Sequence, residues 1–300
     1  MKHWQLRAPE SEHEWQQYYQ LRWQILREPW QQPRGSEQDE LEQSSYHLML
    51  VNDNGDIAAA GRLHLVDNST AQVRYMAVAS AFQGKGAGRR VLQALERQAA
   101  LWGCHIVQLN ARDTAVGFYL AQGYLDCGAA AELYGIAHRR MSKQVRLIGS
   151  AEQYQQWCRQ LAITWQQTIP LSQFMQLDIQ HFDGNEIRCQ APLAPNINLH
   201  QTMFAGSIYS LATLTGWGLL YMQLQAAGLH GDQVLAEASV RYKSPVADQP
   251  QARCYLHNCI GDLSALSRGK KAVQTINVEV MSGNVIAAEF SGRYVVLPKL

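Results

Sequence analysis

An α+β chain of two domains is expected, and three observations predict it. Three hundred residues is about twice a common domain length. The apolar pattern of the first half mixes strand and helix periods, whereas the second half is mostly strand-like. One long helix-like stretch there lies in a run, residues 189–231, without Asp, Glu, Lys or Arg. That order suits a mixed α/β domain followed by a curved antiparallel sheet around a single buried helix.

Taken in order, residues 11–28 predict a helix. Trp15, Tyr18, Tyr19, Arg22, Ile25 and Leu26 recur at helical spacing, and Pro29 stops it. Residues 30–44 are polar and read as a loop. Residues 46–51 and 57–66 read as strands joined by an Asn-Gly turn, and 71–78 as a further strand. Residues 89–103 form an amphipathic helix closed by Gly103, and 104–111 an apolar strand. A short helix at 114–124 and a last strand at 133–145 complete the domain. The texture shifts near Ile148-Gly149-Ser150, which places the domains at 1–147 and 148–300. Ser150 is a plausible N-cap for a helix over 150–170, with Pro170 as its stop. Strands at 173–182 and 185–193, a loop at 194–202 and the neutral helix 203–227 follow. Strands at 232–246, 251–260, 270–283 and 284–298 finish the chain.

Composition narrows the function. Hydrophobic residues are 47%, charged residues 17% and net charge +1, which excludes wholesale disorder. Neither half has the basic excess of a nucleic-acid binder. The six cysteines show no C-x-x-C spacing, so no metal is expected, and the start has no apolar leader. A cytoplasmic protein is expected. The neutral run is rich in Gly, Ala, Ser, Thr and Gln, so it reads as a buried helix rather than a membrane span.

Two motifs carry chemistry. Gln83-Gly84-Lys85-Gly86-Ala87-Gly88-Arg89 lies between a strand and a helix. Glycines there let backbone N–H groups reach phosphate oxygens at the positive end of the helix. Asn110, then Ala115-Val116-Gly117-Phe118-Tyr119 and Gly123-Tyr124, follow. Together these blocks resemble the GNAT acetyltransferases over about residues 3–145. The resemblance implies a site for acetyl-CoA or CoA. Gln83, Gly84, Lys85, Gly86, Gly88 and Arg89 would hold the pyrophosphate, the backbone of Met76 and Val78 the pantetheine arm, with Asn110 beside them. Tyr119 would protonate the leaving thiolate. His64, His105 and Glu132 are base candidates by location alone.

The second motif is Pro195-Asn196-Ile197-Asn198-Leu199-His200-Gln201-Thr202-Met203-Phe204-Ala205-Gly206-Ser207, opening the neutral helix. Small residues there admit another backbone or a ligand, and Asn198 or Thr202 either caps the helix or offers a donor. This half resembles the hot-dog thioesterase-like domains found fused behind GNAT domains in bacteria. Hot-dog thioesterases often carry a carboxylate on or beside the central helix, and residues 189–231 have none. The fusion resembles malonyl-acyl carrier protein decarboxylases, whose enolate needs neutral donors. Asn198 is the expected polarising residue, Asn196 second, Thr202 supporting; alternating side chains let only one Asn face substrate. The resemblance also implies a homodimer and acyl carrier protein as partner. Arg268-Gly269-Lys270-Lys271, or Arg241 with Lys243, is a candidate docking patch or a solvated face. The alternative is hydrolysis of acyl-CoA or acyl-carrier thioesters fused to N-acetylation of an unknown acceptor.

Overall fold

The computed structural model describes residues 4–299, and they divide into two compact units, Met1–Arg146 and Leu147–Leu300. In the first unit, β1 (Trp4–Arg7) leads to α1 (Glu12–Leu26), with Ser11 accepting from the Glu14 amide as N-cap. Then come β2 (Tyr46–Asn52), β3 (Ile57–Leu65) and β4 (Thr70–Val78), α2 (Ala87–Leu101), β5 (Ile106–Arg112), α3 (Val116–Leu120), and the hairpin β6 (Leu125–Leu133) and β7 (Ile136–Gln144). The sheet order is β1-β2-β3-β4-β5-β7-β6. All neighbours are antiparallel except β4 and β5.

Two features of this sheet position a site. The parallel pairing of β4 with β5 covers only Thr70, Ala71 and Gln72 against Ile106, Val107 and Gln108. Beyond that register the two strands part, leaving backbone groups on both without a ladder partner. The parting coincides with a bulge in β4, where two residues between Arg74 and Ala77 oppose one in β3. Tyr75 in that bulge adopts φ +54, a conformation that costs a bulky residue roughly 1–2 kcal/mol. A polar network holds it there. Arg22 and Arg62 are fully buried; Glu42 pairs with both at 2.7 and 2.6 Å, and Asp39 accepts from Arg62 Nη2 at 2.9 Å. Tyr75 donates to Asp39 at 3.2 Å, and the Arg22 guanidinium lies 4.0 Å over its ring.

In the second unit, Ser150 caps α4 (Ala151–Thr168) in a reciprocal capping box with Gln153. Pro170 does not simply stop the chain's helical course. It sits at the first position of α5 (Pro170–Phe174), where a missing N–H costs nothing, so the segment expected as strand from 173 begins as helix. After β8 (Asp178–Phe182) and β9 (Glu186–Gln190) comes α6 (Ala205–Ala227), then β10 (Gly231–Tyr242), β11 (Gln251–Tyr255), β12 (Ile260–Asp262), β13 (Ala272–Ser282) and β14 (Val285–Pro298). The sheet runs β10-β14-β13-β11-β9-β8 and is antiparallel throughout, with β12 on β13. The helix α6 packs on β9, β10, β11, β13 and β14. Ile208, Leu211, Leu214, Leu219, Leu220 and Leu224 bury on several of its faces, which explains the uncharged run. Gly216 is required by packing: a Cβ there would lie 2.5 Å from the Tyr294 hydroxyl, which donates to the Thr213 carbonyl at 2.8 Å. The polar residue Gln223 is paired with Gln274 of β13, each amide donating to the other at 2.8 Å. No helix among the described residues is long and apolar enough to cross a membrane.

The sequence pattern missed β1 and β6. The first has four residues, too few to show a period. The second, LDCGAAAEL, is a largely exposed edge strand with alanines where apolar residues would signal it.

Candidate functional sites

Where β4 and β5 part, the first unit holds a cavity of about 750 Å³. Met76, Val78, Gln83, Gly84, Gly86, Gly88, Arg89, Asn110 and Tyr119 all line it. Gly84 and Gly86 adopt φ +70 and +81, which only glycine takes without strain. Gly86 is the N-cap of α2 and brings no side chain, so the first amides of that helix remain open. Gly88 permits a close approach, since a Cβ there would stand 3.0 Å from Val78 Cγ2. Arg89 is exposed beside these amides. An open helix N-terminus, a glycine turn and one arginine form an oxyanion cradle at one part of the cavity.

Lys85 departs from the expectation. Its Nζ donates to the Ala81 carbonyl at 2.8 Å, in the middle of the preceding 3-10 turn, and it does not line the cavity. The chain provides that carbonyl as a nearby acceptor, so the ammonium folds back. Tyr119 is 7% exposed, and burial raises its phenol well above the usual range, while the nearby Arg112 charge opposes this. It therefore stays a hydrogen-bond donor across all ordinary pH. His64, His105 and Glu132 are absent from the cavity wall; His138 is the histidine found there. Sequence spacing also gave no sign of Arg27, Arg74 and Arg112, which join the wall from α1's end, β4 and β5.

In the second unit, the loop before α6 closes on itself. Ile197 bridges Met203, the Asn198 amide donates to the Thr202 carbonyl at 2.8 Å, and Gln201 takes φ +59. Asn198 Oδ1 accepts from the His200 amide at 2.8 Å, and its Nδ2 donates to Thr202 Oγ1 at 3.1 Å. One Nδ2 proton is thereby left for a ligand. Asn196 faces the other way and is 2% exposed. Its Nδ2 donates to the carbonyls of Met175 and Pro192 at 3.0 and 2.7 Å, so both amide protons are used and it is a brace rather than a polarising donor. Neither Asn198 nor Thr202 caps the helix: Phe204 is the N-cap and no side chain bonds the first amides. Gly206 is small for an internal reason, since its missing Cβ makes room for the Phe204 ring. Ile197, Leu199 and Phe204 are exposed here, and Tyr242 donates to the Ala205 carbonyl at 3.1 Å. Carboxylates of this unit lie on its strands and turns: Asp178 on β8, Glu186 on β9, Asp183 between them and Glu237 on β10.

The geometry defines a class: an α/β domain whose sheet splits beside a glycine turn and an open helix N-terminus, followed by a sheet wrapped around one neutral helix. Comparison with known proteins gives the families. Residues 15–124 match the "Acetyltransferase (GNAT) family" and residues 158–298 match "Putative thioesterase (yiiD_Cterm)". The "Uncharacterized N-acetyltransferase YjcF" of Bacillus subtilis (strain 168) is 34% identical over 112 residues, which is 37% of this chain and 79% of that protein. A crystal structure described as a putative thioesterase from Shewanella oneidensis is 44% identical, covering 48% of this chain and 99% of its own, with a TM-score of 0.46. One described as a putative N-acetyltransferase from Lactobacillus plantarum is 22% identical, covering 48% of this chain and 97% of its own, with a TM-score of 0.43. The chain belongs to the GNAT acetyltransferase family through its first domain, fused to a thioesterase-like hot-dog domain. Among the described residues, no group of three or more His, Cys, Asp or Glu side chains could hold a metal ion.

Proposed function

We propose that the second domain decarboxylates a malonyl thioester, carried by acyl carrier protein or by CoA, and that the first binds acetyl-CoA or CoA in its split sheet. The observation behind the decarboxylase reading is the loop at the head of α6. Asn198 keeps one amide proton not used within the loop that leads into α6, a helix whose N-terminus has no side-chain cap and whose whole run is uncharged. In the reaction, the bond between the methylene and the terminal carboxylate breaks and CO2 leaves. Its electron pair moves onto the thioester as an enolate, whose oxygen is held by Asn198 Nδ2 and the open amides. A solvent proton then adds to carbon and gives the acetyl thioester. No general base is needed, whereas hydrolysis requires one to activate water. Asn198 is catalytic in this scheme, Thr202 orients it, and Asn196 holds the loop. In the first domain, Tyr119 donates to the departing thiolate and the pyrophosphate rests on residues 83–89 without Lys85.

The exposed apolar side chains of the same loop would be covered by a second copy in a homodimer or by the carrier protein. Arg268, Lys270 and Lys271, all exposed, fit an acidic carrier. The test is mass spectrometry of the products from malonyl-carrier protein, malonyl-CoA and a fatty acyl-CoA. Acetyl thioester from the wild type and none from Asn198→Ala supports the reading. Free thiol from the fatty acyl substrate overturns it in favour of hydrolysis.

A further inference from the structure

The cavity of the first domain has an unusual charge inventory. Arg27, Arg74, Arg89 and Arg112 line it, and no Asp or Glu does. Two of the four have evident partners in this setting: Arg89 stands at the phosphate cradle, and Arg74 pairs with Asp39 at 3.0 Å. Arg27 and Arg112 are different. Arg27 is 5% exposed and donates from Nε to the Ser36 carbonyl and from Nη1 to the Leu26 carbonyl, at 2.8 and 2.9 Å. Arg112 donates to that same Leu26 carbonyl at 2.8 Å and lies 3.9 Å over the Trp30 ring. Two guanidinium groups thus converge on one neutral oxygen, with no ion pair to a carboxylate for either among the described residues. Burial first, and then the nearby Arg27 charge, pull Arg112 below its ordinary range. Confining two like charges in a partly desolvated wall is costly unless an anion joins them. Arg27, Arg112 and Tyr119, the proposed leaving-group acid, line the same cavity.

We propose that Arg27 and Arg112 form a subsite for a carboxylate in the wall of this cavity. The carboxylate has two chemical sources: the far end of a dicarboxylic acyl chain on CoA, or a carboxylated amine accepting the acyl group. The inference rests on the reading of the cavity as an acyl-thioester site. Arg112 is the specificity-determining residue, because it is the less buried of the two and its plane, fixed by Trp30, presents a fork to a carboxylate.

The experiment compares succinyl-CoA with butyryl-CoA by calorimetry on the full-length protein. The two chains have equal length and differ at the terminal carboxylate. If the acyl chain supplies the anion, succinyl-CoA binds about tenfold tighter, the ratio falls toward one in Arg112→Gln, and Arg112→Lys retains part of it. If the acceptor supplies it, the ratio is near one in the wild type. Acetyl transfer from acetyl-CoA then favours free amino acids over their amides by about tenfold, and Arg112→Gln erases that preference. Equal binding with no acceptor preference overturns the subsite and leaves the thioester reading standing. A preference that survives in a folded Arg112→Gln protein overturns the subsite in the same way. Failure of both CoA esters to bind overturns the thioester reading, and the subsite with it.

Discussion

The two candidate sites handle negative charge in opposite ways. In the first domain, a cavity opens where β4 and β5 part, and cationic side chains and an open helix end face it. In the second, a half-exposed loop offers neutral amides at the head of a helix with no charge along its length. A phosphate is a permanent anion, so fixed cations serve it in every state. An enolate exists only at the top of a barrier, so donors aimed at its oxygen lower that barrier without holding the ground-state carboxylate too firmly. On the proposed reading, the one chain binds acyl thioesters twice by different physics.

The largest expected effect separates donor from brace at Asn198. Asn198→Ala should lower malonyl thioester decarboxylation by roughly 100-fold, the order of one lost oxyanion donor. Asn198→Asp keeps an oxygen for the His200 amide and removes the Nδ2 donor, so it should fall at least as far, as measured by carbon dioxide release. If Asp retains activity, Asn198 is only part of the loop's frame. Next comes the phosphate cradle. Gly86→Ala meets open space but must hold φ +81. It should cost about 1 kcal/mol of stability and weaken CoA in calorimetry, leaving decarboxylation by the second domain in place.

A smaller effect tests the polar network under the β4 bulge. The Arg62 guanidinium beside Asp39 holds its carboxyl down at about 2, against burial that raises it. A carboxyl depressed in the folded state contributes stability above its unfolded value near 3.8 and loses it as pH falls toward about 2. Acid melting followed by circular dichroism should therefore steepen between about pH 4 and pH 2, and Asp39→Asn should flatten that part of the curve. The smallest effect concerns thiols. Burial pushes Cys189 up to about 12 and Cys158 to about 11, and Cys104 and Cys254 are buried. Cys127 is exposed. Alkylation of the native protein near pH 8 should modify Cys127 first, by peptide mapping.

The order of elements was legible where side chains repeat with a period, as in α2, where a long apolar run lacks charge, as in α6, and where glycine marks a turn, as at Gly84 and Gly86. Alternation implied that only one of Asn196 and Asn198 faces a substrate, and the two side chains do lie in different surroundings, Asn196 buried and Asn198 half-buried. The resting place of the Lys85 ammonium on the Ala81 carbonyl was not legible, because a lysine stem of four carbons can reach several acceptors and spacing does not choose among them. Arg27 and Arg112 escaped notice for a plainer reason. They lie 85 residues apart, and only the folded path past the Leu26 carbonyl brings them together. The edge strand β6 carries alanines, so its hydrophobic signal is weak although its pairing with β7 is long.

The reciprocal amide pair between Gln223 and Gln274 has a consequence for the far end of α6. Sliding the helix by one turn would strand both amides in an apolar interior, a loss of several kcal/mol. The pair thus acts as a pin through the helix near its C-terminus, and the intervening turns form a stiff gauge of fixed length. Where the first amides of α6 come to rest, and with them the loop carrying Asn198, is metered from a point about 27 Å away.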